Sequence, residues 1–128
     1  MKTLINSDKA PAAAGPYSQA IRAGEFVFVS GQLPVNPADN TMPEGIEDQA
    51  KMSLANVKAV LEAAGCTLND VVKTTVFLSD MGNFSVVNEI YAEHFGSPFP
   101  ARSCFQVGKL PKDALVEVEA IAVLSSQN

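Results

Sequence analysis

Two segments of the chain carry the helical period, in which an apolar residue recurs at every third or fourth position. The first segment runs from about Ile46 to Ala64 and is followed by Gly65, a residue suited to the left-handed position that ends many helices. The second segment is shorter and stops before Pro98, and its apolar positions are Phe84, Val87, Tyr91 and Phe95. The pattern therefore predicts two amphipathic helices.

The remaining apolar residues follow the two-residue period of strands or form short β-branched runs. Ser18–Ala23 and Phe26–Ser30 flank a tight turn and predict a hairpin, preceded by a short edge strand within residues 2–6. Val71–Leu78 predicts a central strand covered on both faces, because β-branched residues occupy both of its sides. Two further strands are predicted between Pro100 and Ile121.

The order of these elements predicts the fold class. Hairpin, helix, strand, helix, strand and strand indicate a single α+β domain over residues 1–128, with a mixed sheet and two helices packed on one face. Two helices cover only one face of a sheet, so the other face stays open. That face is predicted to carry Phe26 or Phe28 together with Thr75 and Phe77, which is too apolar for a small monomer. We therefore expect copies of the chain to associate through it.

The last two strands carry the candidate chemistry. Residues two apart share a face of a strand, so Arg102, Cys104 and Gln106 should point the same way. Glu117 and Glu119 share a face for the same reason, and we predict that Arg102 lies on that face too. An arginine beside glutamates on neighbouring strands is commonly a structural ion pair. The residues alone therefore leave both an ion pair and a functional site open.

Composition narrows the classes of function. The chain has 128 residues, of which 47% are hydrophobic, and a net charge of −5 with a pI of about 4.7. An acidic surface disfavours nucleic acid as the main partner, and no apolar run reaches the length of a membrane span. We expect a cytoplasmic protein in which Cys66 and Cys104 are reduced thiols. The single histidine excludes a zinc finger of the type that uses two Cys and two His.

Five separated motifs form a specific set in a fixed order. They read Gly-Pro-Tyr-Ser-Gln-Ala from Gly15, Val-Ser-Gly-Gln-Leu-Pro from Val29, Asn-Val-Lys-Ala-Val-Leu-Glu-Ala-Ala-Gly from Asn56, Pro-Ala-Arg-Ser-Cys from Pro100, and Leu-Pro-Lys-Asp from Leu110 with Val-Glu-Val-Glu-Ala from Val116. The set resembles the Rid family of reactive-intermediate deaminases, specifically its RidA branch, which is also called YjgF. One departure is the link from Phe95 to Pro100, which is shorter than is usual in the branch.

The resemblance implies a chorismate-mutase-like α+β fold and a homotrimer that associates through the open sheet face, with a cleft between each pair of subunits. It implies that the ligands are small 2-imino acids or 2-oxo acids. The implied reaction is hydrolysis of 2-iminobutanoate and 2-iminopropanoate to 2-oxo acids and ammonia, with no metal or organic cofactor.

The resemblance also implies residue roles. Arg102 would pair with both oxygens of the substrate carboxylate, assisted by the backbone N–H groups of Gly31 and Cys104. Glu117 would orient the attacking water and help to move protons to the departing ammonia. The other family positions near the cleft are matched by Tyr17, Ser30, Phe84 and Asn88.

Several of these residues also have plainer interpretations. Phe84 and Tyr91 have the spacing of core residues, and Asn88 is suited to capping or bridging backbone. For Glu119 we expect a structural ion pair with a lysine. Cys104 is disfavoured as a nucleophile because no histidine is evident nearby to stabilise its thiolate.

Two rival functions stay open. One is the endoribonuclease and translation-inhibition activity that is also attributed to the family, although the acidic charge weighs against it. The other is a non-catalytic trimer that binds small carboxylates or acts as a chaperone. That function predicts ligand binding without faster loss of the imine.

Overall fold

A computed structural model describes residues 1–124, so residues 125–128 of the predicted domain lie outside the described residues. These residues form one six-stranded sheet and two α-helices. In chain order the elements are β1 (Lys2–Ile5), β2 (Ala20–Ala23), β3 (Phe26–Gln32), α1 (Ile46–Ala63), β4 (Val71–Leu78), α2 (Phe84–His94), β5 (Ala101–Gln106) and β6 (Val116–Val123). The predicted α+β class, with two helices and a mixed sheet, is confirmed.

The strands lie in the order β1-β2-β3-β6-β4-β5. Every neighbouring pair is antiparallel except β4 and β5, which run parallel. Parallel neighbours need a crossover connection, and α2 supplies it. As a result, β5 is an edge strand that follows α2 directly on the chain.

The hydrophobic core lies between the helices and one face of the sheet. Helix α1 packs across β3 and β6, and α2 packs beside α1 and reaches β4 through Tyr91. Burying apolar side chains in this layer is the main source of stability for a domain of this size. The fully buried core side chains include Val27, Leu54, Val57, Leu61, Val76 and Val116.

The open face of the sheet is apolar, as predicted. Phe26, Phe28 and Phe105 expose 47%, 44% and 46% of their surfaces, and Phe105 packs edge-on against Phe77. The predicted cover on both faces of β4 is therefore wrong within one chain, because only its helix-facing side is buried. The predicted trimer stays a prediction.

Local details explain where the element boundaries fall. Gly65 has a φ of 85°, so the predicted left-handed residue after α1 is confirmed. Strand β3 continues beyond the predicted Ser30 to Gln32, because a bulge between Val29 and Gln32 lets it keep pairing with β6. Asp80, rather than Asn83, caps the turn before α2 by accepting the N–H of Gly82.

Candidate active site

Glu117 projects from β6 onto the open face, directly over the bulge in β3. A Cβ atom built on Gly31 would lie only 2.5 Å from Glu117 Oε2 and 2.8 Å from its Cδ. Real Cβ atoms do not approach other atoms this closely, so the carboxylate occupies the space that a side chain at position 31 would need. The structure thus gives a steric reason for glycine beside Glu117.

A cavity of about 740 Å³ opens beside this carboxylate. Glu117 and Glu119 line one side, and Lys112 lies in the turn that precedes β6. Further lining residues include Tyr17, Ser30, Gly31 and Asn40. The cavity is large enough for an acid of a few carbon atoms together with water molecules.

Partial burial raises the pKa of the Glu117 carboxyl, and the negative charge of Glu119 raises it further. Within residues 1–124, neither glutamate forms a salt bridge. The expected ion pair between Glu119 and a lysine is therefore not formed within the described chain, although Lys112 lines the same cavity. The arrangement leaves two unpaired carboxylates on one cavity wall, a setting suited to holding water and exchanging protons.

Tyr17 and Ser30 border the cavity in different ways. The Tyr17 side chain is 53% exposed, and its hydroxyl accepts a long hydrogen bond of 3.4 Å from the Ala14 N–H. The Ser30 hydroxyl donates to the backbone oxygen of Ser18 at 2.6 Å. The Ser30 proton is therefore engaged by backbone, whereas the Tyr17 hydroxyl proton remains free to donate.

Arg102 lies elsewhere, at the edge of the sheet beside α2. Its Nη1 donates to Asn88 Oδ1 at 2.8 Å, and its guanidinium carbon lies 4.9 Å from the ring centre of Tyr91 and 5.6 Å from that of Phe84. The side chain forms no salt bridge within residues 1–124. The interpretation of Arg102 as an intrachain ion pair with Glu117 or Glu119 is thus ruled out for the described chain.

The prediction that Arg102 shares a face with the glutamates is wrong. Arg102 is paired with Thr74 of β4, and Thr74 with Ala120 of β6, on the face that the helices cover. Glu117 is paired with Phe77, on the open face. Alternation determines which residues of one strand lie on the same face of the sheet. Only the pairing register determines which residues of the neighbouring strand share that face.

Cys104 and Gln106 share the face of Arg102 and are likewise separated from the glutamates. The Cys104 thiol packs against the core beside Val76, and burial raises its pKa, although the nearby Arg102 charge opposes the shift. The only histidine, His94, directs its Nδ1 at the backbone oxygen of Ile90. A protonated, partly buried thiol is a poor nucleophile.

The structure divides the predicted site residues into two groups. The cavity group consists of Tyr17, Ser30, Gly31 and Glu117, and the edge group consists of Phe84, Asn88, Arg102 and Cys104. Two residues were not predicted as site residues, Tyr91 in the edge group and Lys112 in the cavity group. The helical spacing of Tyr91 from Phe84 and Asn88 was the available signal for the first.

The sequence profile of a family described as Endoribonuclease L-PSP matches residues 7–124. The chain belongs to this family, which is also called YjgF or Rid. The family assignment made from the five motifs is thereby confirmed.

Relatives within the family are similar along nearly the whole chain. A RutC family protein of Pyrococcus horikoshii is 53% identical over 123 residues, which cover 95% of this chain and 98% of that protein. A 2-iminobutanoate/2-iminopropanoate deaminase of Bos taurus is 48% identical over 124 residues, which cover 96% of this chain and 90% of that protein. The crystal structure of Escherichia coli TdcF with bound serine superposes with a TM-score of 0.90. The two sequences are 45% identical, and the match covers 96% of this chain and 99% of the TdcF chain.

The names of two relatives, the reactive intermediate deaminase TdcF of Escherichia coli and the deaminase of Bos taurus, support deamination of reactive intermediates as the general function, although the family description itself names an endoribonuclease. Within residues 1–124, no helix is long and apolar enough to cross a membrane. In the same residues, no group of three or more His, Cys, Asp or Glu side chains is placed to hold a metal ion.

Proposed function

We propose that this protein hydrolyses small reactive 2-imino acids, such as 2-iminobutanoate and 2-iminopropanoate, to 2-oxo acids and ammonia. The observation that carries the proposal is the Glu117 carboxylate, which is half-buried, free of any salt bridge within residues 1–124, and directed into a cavity of about 740 Å³. The similarity to a deaminase named for these two substrates supports the choice of substrate.

In the proposed reaction, water adds to the imine carbon. Glu117 orients the water and accepts its proton, and the addition gives a tetrahedral carbinolamine. Glu117 passes this proton to the imine nitrogen, which becomes an amino group. It then transfers the proton of the added hydroxyl group to the amino group, the C=O bond forms as the C–N bond breaks, and ammonia leaves the 2-oxo acid. Proton transfer of this kind typically contributes about 10²–10⁴-fold to the rate. The raised pKa of Glu117 suits a group that must both accept and return a proton.

Arg102 is proposed to bind the substrate carboxylate. Its planar guanidinium offers paired N–H groups that match two carboxylate oxygens, and only one nitrogen is engaged by Asn88. Backbone N–H groups of Gly31 and Cys104 are proposed to add hydrogen bonds. Tyr17, Ser30, Phe84 and Asn88 are proposed to border the bound substrate.

The proposed assembly is a homotrimer with each site between two subunits. Two observations support it: the apolar open face, and the location of Arg102 and Glu117 on opposite faces of one sheet. Association through the open face would bury Phe26, Phe28 and Phe105 and is expected to be driven by the hydrophobic effect. Light scattering behind size exclusion should then give a mass about three times the 13.5 kDa of the chain.

A coupled assay tests the reaction. A threonine dehydratase generates 2-iminobutanoate in the presence of semicarbazide, and formation of the semicarbazone from the imine is followed. We expect the protein to suppress this signal, Arg102→Ala to abolish the suppression, and Glu117→Ala to weaken it severely. A wild-type protein that leaves the signal unchanged contradicts the proposal.

The same preparations discriminate the rival functions. RNA cleavage that survives Arg102→Ala and falls steeply with salt would support the endoribonuclease function named in the family description. The chain has 9 Lys and Arg residues against 14 Asp and Glu, which disfavours that result. Binding of a 2-oxo acid without faster loss of imine would support a non-catalytic carboxylate-binding trimer.

A further inference from the structure

Tyr91 is the least exposed aromatic side chain in contact with Arg102. It is 5% exposed, and its hydroxyl forms a 2.6 Å hydrogen bond with the hydroxyl of Thr74, which is itself 1% exposed. This bond joins α2 to β4, and the ring itself is held by burial and by packing against Phe95. The guanidinium carbon of Arg102 lies over that ring at 4.9 Å.

Phe84 and Asn88 complete the surroundings of the guanidinium. Both precede Tyr91 on the same face of α2, at helical spacings of seven and three residues. Asn88 accepts one N–H through its side-chain oxygen, and the Phe84 ring lies 5.6 Å from the guanidinium carbon. The helix thus engages the cation through one hydrogen bond and two aromatic rings, while Arg102 as a whole remains exposed.

An exposed arginine normally samples many rotamers, and binding an anion must stop that motion. A ring fixed beneath the guanidinium reduces this cost in advance, because the cation already occupies one plane. The helix supplies no carboxylate to the guanidinium, since within residues 1–124 Arg102 forms no salt bridge. The cation is therefore held in position and its charge is not neutralised.

We propose that Tyr91 is a positioning residue that holds the Arg102 guanidinium in the orientation required to bind a ligand carboxylate. The inference rests on the proposed function for its ligand, a small 2-oxo or 2-imino acid. It gives Tyr91 a function besides its place in the core, and it makes the Asn88 side chain part of the arginine support.

The chain offers matched variants. Tyr91→Leu removes the ring, whereas Tyr91→Phe keeps the ring and removes only the hydrogen bond to Thr74. Phe95→Leu is the control for loss of a buried ring. Phe95 is 2% exposed and its ring centre lies 4.5 Å from that of Tyr91, but within residues 1–124 it forms no cation–π contact with Arg102. The three variants separate loss of core packing from loss of arginine support.

The first measurement does not depend on activity. The chain has only two arginines, and Arg22 is directed at the backbone oxygen of Gly24, so the Nε–H region of an NMR spectrum contains one signal to follow and one reference. Arg102→Lys assigns the signals. We expect the aromatic rings to shift the Arg102 Nε–H resonance in the wild type, Tyr91→Phe and Phe95→Leu. In Tyr91→Leu, where the Phe84 ring remains, the resonance should move towards the chemical shift of a free arginine.

The second measurement is binding and turnover. In Tyr91→Leu we expect the Kd for 2-oxobutanoate and the KM for the imine to rise about tenfold, with kcat within about twofold, because a carboxylate anchor acts equally on bound substrate and transition state. In Tyr91→Phe both the Kd and the KM should keep their wild-type values, and Phe95→Leu should lower only thermal stability.

The outcomes keep the two proposals apart. An unchanged Arg102 signal and unchanged Kd in folded Tyr91→Leu overturn the positioning role while leaving the deaminase proposal intact. Equal increases of Kd in Tyr91→Leu and Phe95→Leu also overturn it, because they indicate general core damage. A wild type without deaminase activity overturns the proposed function, and the Arg102 signal then still decides whether Tyr91 orients the arginine.

Discussion

Arg102 and Glu117 lie on opposite faces of one sheet, on strands β5 and β6 that are separated by β4. Neighbouring strands are about 4.8 Å apart, so two strand spacings and the thickness of the sheet separate the side chains. A substrate of a few carbon atoms cannot contact both side chains of the same chain. A site that uses both residues must take Arg102 from one subunit and Glu117 from another.

This geometry predicts complementation between two impaired variants. Arg102→Ala should be inactive alone and Glu117→Ala severely weakened, whereas trimers assembled from an equal mixture should regain about a quarter of wild-type activity, since random pairing restores one interface in four. The measurement is imine hydrolysis after the mixture has been unfolded and refolded together. A mixture made without unfolding is the control. Persistent inactivity of refolded, correctly assembled mixed trimers would contradict a shared site.

Gly31→Ala should remove activity without unfolding the protein. The new Cβ would lie 2.5 Å from Glu117 Oε2, and the carboxylate, at the end of a flexible side chain, is expected to swing away from its position. Displacing a catalytic group by about 1 Å typically costs about 10²-fold in rate. We therefore expect kcat to fall by roughly that factor with a nearly unchanged Tm.

Gly108→Ala is the matched control for this prediction. Nothing lies within 4 Å of the Cβ that it would add, and its φ is not in the left-handed region. It should leave kcat unchanged. Equal effects of the two substitutions would mean that the space beside Glu117 is unimportant.

Glu119→Gln should shift the pH dependence of the reaction. The negative charge of Glu119 raises the pKa of Glu117, and the carboxylate form of Glu117 is the one that can accept a proton from water. Activity is lost as pH falls through the Glu117 pKa, so removing the Glu119 charge should move the acidic limb of kcat/KM to lower pH. Burial is the larger cause of the raised pKa, and the limb should therefore stay above that of an ordinary glutamate.

Glu62→Gln provides the charge-matched comparison for the pH profile. Glu62 is exposed on α1 and does not line the cavity, but its substitution changes the net charge by the same amount. Its acidic limb should coincide with that of the wild type. A limb in Glu119→Gln that stays in place, or moves upwards, would refute the coupling.

Cys104→Ser should retain kcat/KM within about twofold, because a protonated thiol contributes little as a nucleophile and serine keeps the backbone N–H at this position. Burial raises the pKa of the Cys104 thiol, so iodoacetamide should also alkylate it slowly at neutral pH. Mass spectrometry during turnover checks the same point. A covalent adduct on Cys104 together with an inactive serine variant would establish the opposite mechanism.

The elements of the fold follow from the sequence because each depends on local periodicity. The helix predicted from Ile46 to Ala64 differs from α1 by one residue, and Val71–Leu78 is the observed β4. Gly65 ends α1 in the predicted left-handed conformation. These features are determined by residues close to one another in the sequence, so the local pattern of residue types predicts them.

The site could be predicted only in part, because it depends on relations between strands. Arg102 and Glu117 each alternate correctly within their own strands, but the pairing of both strands with β4 places them on opposite faces. No single strand encodes that relation. Tyr91 was correctly predicted as core, and its contact with Arg102 depends on where β5 lies beside α2.

Because α2 connects β4 to β5, recognition of the substrate carboxylate can change independently of imine hydrolysis. Within residues 1–124, the side chains that form a hydrogen bond or a cation–π contact with the Arg102 guanidinium all come from Phe84 to Tyr91, a short stretch that precedes it on the chain. The surroundings of Glu117 are instead gathered from distant stretches that include Tyr17, Gly31 and Lys112. Arg102 and the side chains that hold it therefore lie within one continuous stretch of the chain. Exchanging residues 80–106 for those of a relative should transfer that relative's preference among carboxylic acids. The surroundings of Glu117, which is proposed to orient the water, should stay unchanged.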